Sequence, residues 1–180
     1  MCGICGIHGL VDEVFLQKMN RSLTHRGPDD EGYYYGRDVM LAMRRLKVID
    51  LDTGNQPIYN EDKTIVVVYN GEIYNFKEIR TDLEKKNHTF STNSDTESIV
   101  HLYEEYGDGC VNKLRGMFAF ALWDPNERIL FCARDRFCIK PFYYAVVDNV
   151  FLFASDDMGG DGTGVSDIPC GIEDDSGGVI

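Results

Sequence analysis

Two rhythms of apolar and polar residues run along this chain and divide it into thirds. Residues 3–9 (GICGIHG) form a short, nearly continuous apolar run, the pattern of a buried strand close to the start. Between 12 and 25, Val14, Phe15, Met19 and Leu23 recur at mostly helical spacing, which predicts one modest helix. Gly27-Pro28 breaks it. GYYYG (32–36) and VMLAM (39–43) then flank a Gly36–Asp38 turn, and RLKVIDL (45–51) and TIVVVY (64–69) extend the strand pattern.

The middle of the chain changes period. Asn75, with Glu78 three residues on, predicts a helix start ahead of Ile79 and Leu83. Ser94-x-x-Glu97 reads as a capping box leading into Ile99, Leu102, Tyr103 and Tyr106, with Gly107 as the stop. The last third is strand-like again. MFAFALW (117–123) and RILFCA (128–133) are joined by a turn at 124–127, and FYYAVV (142–147) and VFLFAS (150–155) by Asp148-Asn149 alone. Short turns between strands, with helices grouped in the middle, predict an α+β fold of mainly antiparallel sheets, two of them stacked and covered by helices.

Composition adds size and location. With 43% apolar residues in 180, the chain can bury a substantial single core. No apolar run reaches the ~18 residues of a membrane span and no signal peptide is evident, so a cytoplasmic location with reduced cysteines is expected. A net charge of −12 argues against nucleic acid or an anionic membrane as partner. Seven of those charges fall in residues 156–180, which hold seven glycines and no Lys or Arg. Such a segment buries too little apolar surface to offset its ordering entropy, so it is expected to be a disordered tail behind a domain spanning 2–155.

The candidate chemistry begins at Cys2-Gly-Ile-Cys5. A redox pair would need a preceding strand and a following helix, and a zinc site would need further ligands at short spacing. The other cysteines are scattered singles, and His8, His25, His88 and His101 offer no evident ligand pair, so no metal set is expected. Removal of Met1 would place the Cys2 thiol beside a free α-amino group of pKa about 7.7–8.0, giving nucleophile and base in one residue. On these six residues alone, an ordinary thiol near a terminus is the better reading.

Longer stretches reverse that balance. MCGICGI, THRGPDDEG (24–32), RLKVIDL with QPIYN (56–60), YNGEIYN (69–75), NSDTE (93–97), GMFAFALWD and RDRFCIKPFYY follow one another in order. Together they resemble the glutaminase domain of glutamine-hydrolysing asparagine synthetase, a class II glutamine amidotransferase domain, over about residues 2–155. The resemblance implies an N-terminal-nucleophile hydrolase-like αββα sandwich. It also implies hydrolysis of the glutamine side-chain amide to glutamate and ammonia through a Cys2 thioester. Asn70 and Gly71 would form the oxyanion hole, suited to it as an amide N–H₂ and an adjacent backbone N–H. Arg45 would clamp the substrate carboxylate, with Leu46, Val48 and Ile49 lining the pocket and Glu72 and Asp95 facing the ammonium. Arg26 and Asp29 are expected to be architectural.

No cofactor is implied for that step. ATP and Mg would belong to a synthetase domain or subunit that receives the ammonia, and that domain is not expected within this sequence. A catalytically silent glutamine-binding or partner-docking module is the alternative. Cys138 stands where the family usually carries glycine, which would strain a turn if that position needs φ > 0. The oligomeric state is not readable from the sequence.

Overall fold

A computed structural model describes residues 2–47 and 54–156, together with the backbone of 166–167. Ten strands and three α-helices follow in chain order: β1 (Gly3–His8), α1 (Glu13–Ser22), β2 (Asp30–Tyr35), β3 (Val39–Arg45), β4 (Ile58–Tyr59), β5 (Val66–Ile73), α2 (Phe76–Glu84), α3 (Glu97–Tyr106), β6 (Gly116–Asp124), β7 (Ile129–Arg134), β8 (Tyr143–Val147), β9 (Val150–Ala154) and β10 (Ser166–Asp167). They build two sheets, one ordered β10-β8-β9-β1-β3-β2 and the other β4-β5-β6-β7. Every pairing is antiparallel.

Strand alternation sorts the core into three layers. Ile4, Leu41 and Met43 of the larger sheet meet Val66, Val68, Ala119 and Ala121 of the smaller one, with Phe142 and Phe153 stacked at 5.0 Å in the same cluster. On the outer face of the larger sheet, Cys5, Ile7, Met40 and Ala42 pack against Leu16, Met19 and Leu23 of the α1 segment. On the outer face of the smaller sheet, Val67, Tyr69, Phe118 and Phe120 pack against Ile79 and Leu83 of α2 and Ile99 and Leu102 of α3. The order is therefore helix, sheet, sheet, helices, the αββα sandwich expected.

Local chemistry fixes the joints. Asp12 caps α1 by accepting from the Phe15 N–H at 2.9 Å, a contact worth about 1 kcal/mol. The helix turns Leu16 and Met19 inward, while Val14 and Phe15, expected on the apolar stripe, stay exposed. Asp148 and Asn149 both take positive φ, 51° and 64°, the left-handed pair of a tight hairpin turn. Asn75 does precede α2, but its side chain makes no cap. It reaches across to the start of β6 instead, accepting from the Arg115 N–H and donating to the Lys113 carbonyl, both at 2.9 Å.

The capping box forecast at Ser94 is also rearranged. The helix begins two residues later, after Thr96, and the buried Glu97 carboxylate accepts from the N–H and hydroxyl of Ser91 and of Thr92. Of RLKVIDL, Arg45 ends β3, while 48–53 lie outside the described residues. The tail is described only at Asp156 and at 166–167, where β10 pairs with Tyr143 and Tyr144 of β8. Cys138 has φ 53°, the left-handed conformation anticipated for the family's glycine. Cys2, Cys5, Cys110 and Cys132 are free thiols, whereas Cys138 is disulfide-bonded, so the expectation of six reduced cysteines does not hold throughout. Among the described residues, no helix is long and apolar enough to cross a membrane.

Candidate active site

Cys2 stands immediately before β1, the strand held between β3 and β9 in the larger sheet. Its side chain packs at the inter-sheet cluster, whereas Cys5 lies fully buried in the layer against α1. The two thiols thus belong to opposite faces of one strand and cannot act as a pair. Burial in apolar surroundings pushes the Cys5 thiol far above its usual range, which makes it inert.

Cys2 is half-buried and held by backbone. Its Sγ lies 3.4 Å from the Leu46 N–H and 3.7 Å from the Leu46 carbonyl. Arg26 Nε sits 3.4 Å from the Cys2 carbonyl. Asp29 secures the other side of this cradle, donating its N–H to the Arg45 carbonyl at 3.0 Å and accepting from the Lys47 N–H at 2.9 Å. The HRGPD segment therefore shapes the floor under the thiol, the architectural part expected of Arg26 and Asp29. Between them, Gly27 sits so close to the Arg44–Arg45 backbone that a Cβ would collide with it.

β5 brings the next residues. Val66 and Val68 face the inter-sheet cluster while Val67, Tyr69 and Ile73 face the helices, so Asn70 and Glu72 fall on the same side as Cys2. Asn70 is buried, and its Nδ2 has no hydrogen-bond acceptor among the described residues. Asn70-Gly71 is not a hairpin turn, because β5 runs straight through it in register with Ala119 and Phe118 of β6. A Cβ at Gly71 would clash with the Met117 carbonyl and come within 2.8 Å of the Phe118 Cα. Glycine here is required by the close approach of the two strands.

Tyr69 ties the site together and was not singled out by the sequence. Its hydroxyl donates to Asp95 Oδ2 at 2.8 Å, and its backbone is gripped by Gln56, which accepts from the Tyr69 N–H at 2.6 Å and donates to its carbonyl at 3.1 Å. Burial raises the phenol well above its usual range, and the charges of Asp95, Glu72 and Cys2 raise it further.

Asp95 is itself buried and takes a second bond on Oδ2, from the Ile73 N–H at 2.8 Å. Its Oδ1 lies 3.5 Å from the Ser94 hydroxyl. Arg45, at the end of β3, is buried and donates from Nη1 to Asn55 Oδ1. Leu46 lines the thiol through its backbone, and Val48 and Ile49 lie outside the described residues. Gln56 and Asn55 were also missed. Asn55 lies in a segment without periodicity, and Gln56, although it opens the QPIYN stretch, was given no role there.

A half-exposed cysteine before a central strand, a buried amide on the facing sheet, and a buried arginine and aspartate make up the candidate site of this two-sheet fold. Comparison with known proteins gives the family. The model of the glutamine amidotransferase domain family matches residues 1–159, and the chain belongs to that family. It is 44% identical over 163 residues to asparagine synthetase [glutamine-hydrolyzing] 1 of Bacillus subtilis (strain 168), covering 87% of this chain and 26% of that protein. Against the asparagine synthetase [glutamine-hydrolyzing] of Zea mays it is 49% identical over 149 residues, or 79% of this chain and 25% of that one. The chain thus spans about a quarter of the length of these relatives. In fold it is similar to glutamine phosphoribosylpyrophosphate amidotransferase from B. subtilis, with a TM-score of 0.73 at 19% identity over 93% of this chain and 44% of that one.

Proposed function

We propose that this domain hydrolyses the side-chain amide of glutamine to glutamate and ammonia, with Cys2 as nucleophile. The observation that carries the reading is the buried Asn70 amide, which presents N–H donors on the Cys2 side of β5 with no acceptor among the described residues. In water-poor surroundings such donors hold a developing oxyanion far better than a ground-state carbonyl.

The steps balance as follows. The thiol proton passes to the α-amine of Cys2, freed by loss of Met1, and Sγ attacks the amide carbon. The carbonyl electrons move onto oxygen, against Asn70 Nδ2 and the Gly71 N–H. Collapse breaks the C–N bond, and the ammonium of Cys2 returns its proton to the leaving ammonia. Water then adds to the thioester and releases glutamate and the thiol. Arg45 meets the substrate carboxylate, Asp95 and Glu72 its ammonium, and Leu46, Val48 and Ile49 line the pocket. The step requires neither metal nor nucleotide. Ammonia is handed to a synthetase domain or subunit, where ATP and Mg would act.

The test is an ammonia-release assay with glutamine, run beside intact-mass analysis of the same sample. Protein lacking Met1 is expected to release ammonia and to be alkylated at Cys2 by a glutamine-like electrophile, and Cys2→Ala is expected to do neither. Full activity in Cys2→Ala would sink the proposal. Tight glutamine binding without turnover, in protein shown to lack Met1, would favour the silent-module alternative.

A further inference from the structure

Four side chains from three separate stretches converge beside α3, away from the residues given catalytic parts above. Glu61 follows β4, His88 follows α2, and His101 and Glu104 lie three apart on α3. His88 and His101, which offered no ligand pair along the sequence, are neighbours here, with ring centroids 5.0 Å apart. His88 Nδ1 lies 3.2 Å from Glu61 Oε1 and 3.6 Å from Glu104 Oε2. His101 Nδ1 lies 3.3 Å from Glu61 Oε2 and 3.2 Å from Glu104 Oε2. One donor atom from each of the four falls within 4.8 Å of the others.

Those four nitrogen–oxygen separations have a specific meaning. Four ligands about 2.0–2.1 Å from a tetrahedral ion stand about 3.3–3.4 Å from one another. The separations from the two imidazoles to Glu104 Oε2 and to the Glu61 carboxylate, 3.2–3.6 Å, are close to that spacing. His88 meets Glu61 Oε1 and His101 meets Glu61 Oε2, so a rotation of that carboxylate presents one oxygen to the ion. The surroundings are those of a metal centre as well. His88 Nε2 faces Glu105 Oε1 at 3.2 Å and His101 Nε2 faces Glu97 Oε1 at 3.6 Å, so each ring has a carboxylate behind its outer nitrogen. Glu61 Oε1 accepts from the Thr89 N–H at 2.9 Å, and Glu104 Oε1 from Asn60 Nδ2 at 2.8 Å. Such partners fix tautomer and carboxylate orientation at metal sites. His101 is wholly buried with the Phe90 ring edge-on at 4.5 Å and His88 is only 11% exposed, so the two rings close the inner side of the centre, while the exposed Glu61 and Glu104 bound it on the solvent side.

We propose that Glu61, His88, His101 and Glu104 form a tetrahedral binding site for a divalent transition-metal ion, zinc by ligand type. Two imidazoles disfavour magnesium and calcium, which take oxygen ligands. Four protein ligands leave no open position, so the ion is structural: it clips the loop after β4 and the α2–α3 connection onto α3. A divalent ion also offsets two of the four carboxylate charges gathered around the rings.

The experiment titrates metal-free full-length chain with Co²⁺ and Zn²⁺. Expected are one Co²⁺ per chain with the intense visible bands of a four-coordinate nitrogen and oxygen site, displacement by Zn²⁺, and a melting temperature that rises with zinc. Glu105→Gln, which removes the carboxylate behind His88 and its surface ion pair with Lys86 but no ligand, should weaken zinc binding roughly 10-fold to 100-fold. Glu61→Gln should weaken it further, and since Glu61 lies outside every helix and strand its folding is checked independently by circular dichroism. No bound Co²⁺, a thiolate-to-cobalt charge-transfer band placing the ion on a cysteine, or wild-type zinc affinity in both variants would overturn the proposal.

Discussion

Asn70 shows how a single residue can carry a site. A buried amide N–H₂ without an acceptor ordinarily costs stability, on the order of 1–3 kcal/mol. In the proposed mechanism its place on the thiol side of β5 gives that cost a use, since the donors would meet the charge that develops on the substrate. Asn70→Ala should lower kcat by about 100-fold to 1,000-fold with a much smaller change in KM, measured by steady-state ammonia release. Cys138 makes a different residue-scale case. Its φ of 53° penalises any Cβ, so Cys138→Gly should exceed Cys138→Ala in stability by about 1 kcal/mol in urea denaturation, a comparison in which neither variant has a thiol. Both positions were legible in advance because a motif marked them. Tyr69 opens the same motif as Asn70, but its part was not legible, since its hydroxyl meets Asp95 across 26 residues of chain and only the fold discloses that bond.

At the scale of elements, hydrophobic rhythm located the strands and helices well, and the junctions poorly. Period is a property of many residues, whereas a cap depends on where one polar side chain finds its best partner. Asn75 and Glu97 both look like helix caps in sequence, yet one bridges to β6 and the other gathers the Ser91–Thr92 loop. The short strand β4 was also missed, because two residues are too few to set a period. Strand β5 carries the more consequential arrangement. It supplies Tyr69 to the helix side and Asn70 and Glu72 to the thiol side, so its register with β6 sets the site. Gly71→Ala would force a Cβ into the β6 backbone. The expected outcome is a loss of about 1–3 kcal/mol in stability together with a fall in ammonia release, because Asn70 moves with the strand. Unchanged melting and unchanged turnover would show that the strands can separate there without consequence.

The whole molecule accounts for the position of the nucleophile. Two sheets face one another, and the proposed machinery is divided between them: Cys2 and Arg45 lie at ends of strands in the larger sheet, Asn70 and Glu72 on β5 of the smaller one. The stacked architecture was legible from hairpins and grouped helices; which strand ends would meet was not, because that depends on strand order. In this arrangement β1 is a central strand whose first residues emerge at the inter-sheet seam, where a free amine would stand beside the thiol it serves. A single alanine inserted before Cys2, and retained, turns that amine into an amide that can neither take the thiol proton nor give one to ammonia. The thiol, its Leu46 cradle and Asn70 would all remain. Such a variant should keep its melting temperature, since β1 from Gly3 onward is unchanged, and should still react slowly with a small alkylating agent at Cys2. Its ammonia release should fall by about 100-fold or more, the scale of a lost general acid–base. Undiminished turnover in a sample whose mass proves the extra residue is present would require another base, and would remove the amine from the mechanism while leaving the nucleophile and the oxyanion hole in place.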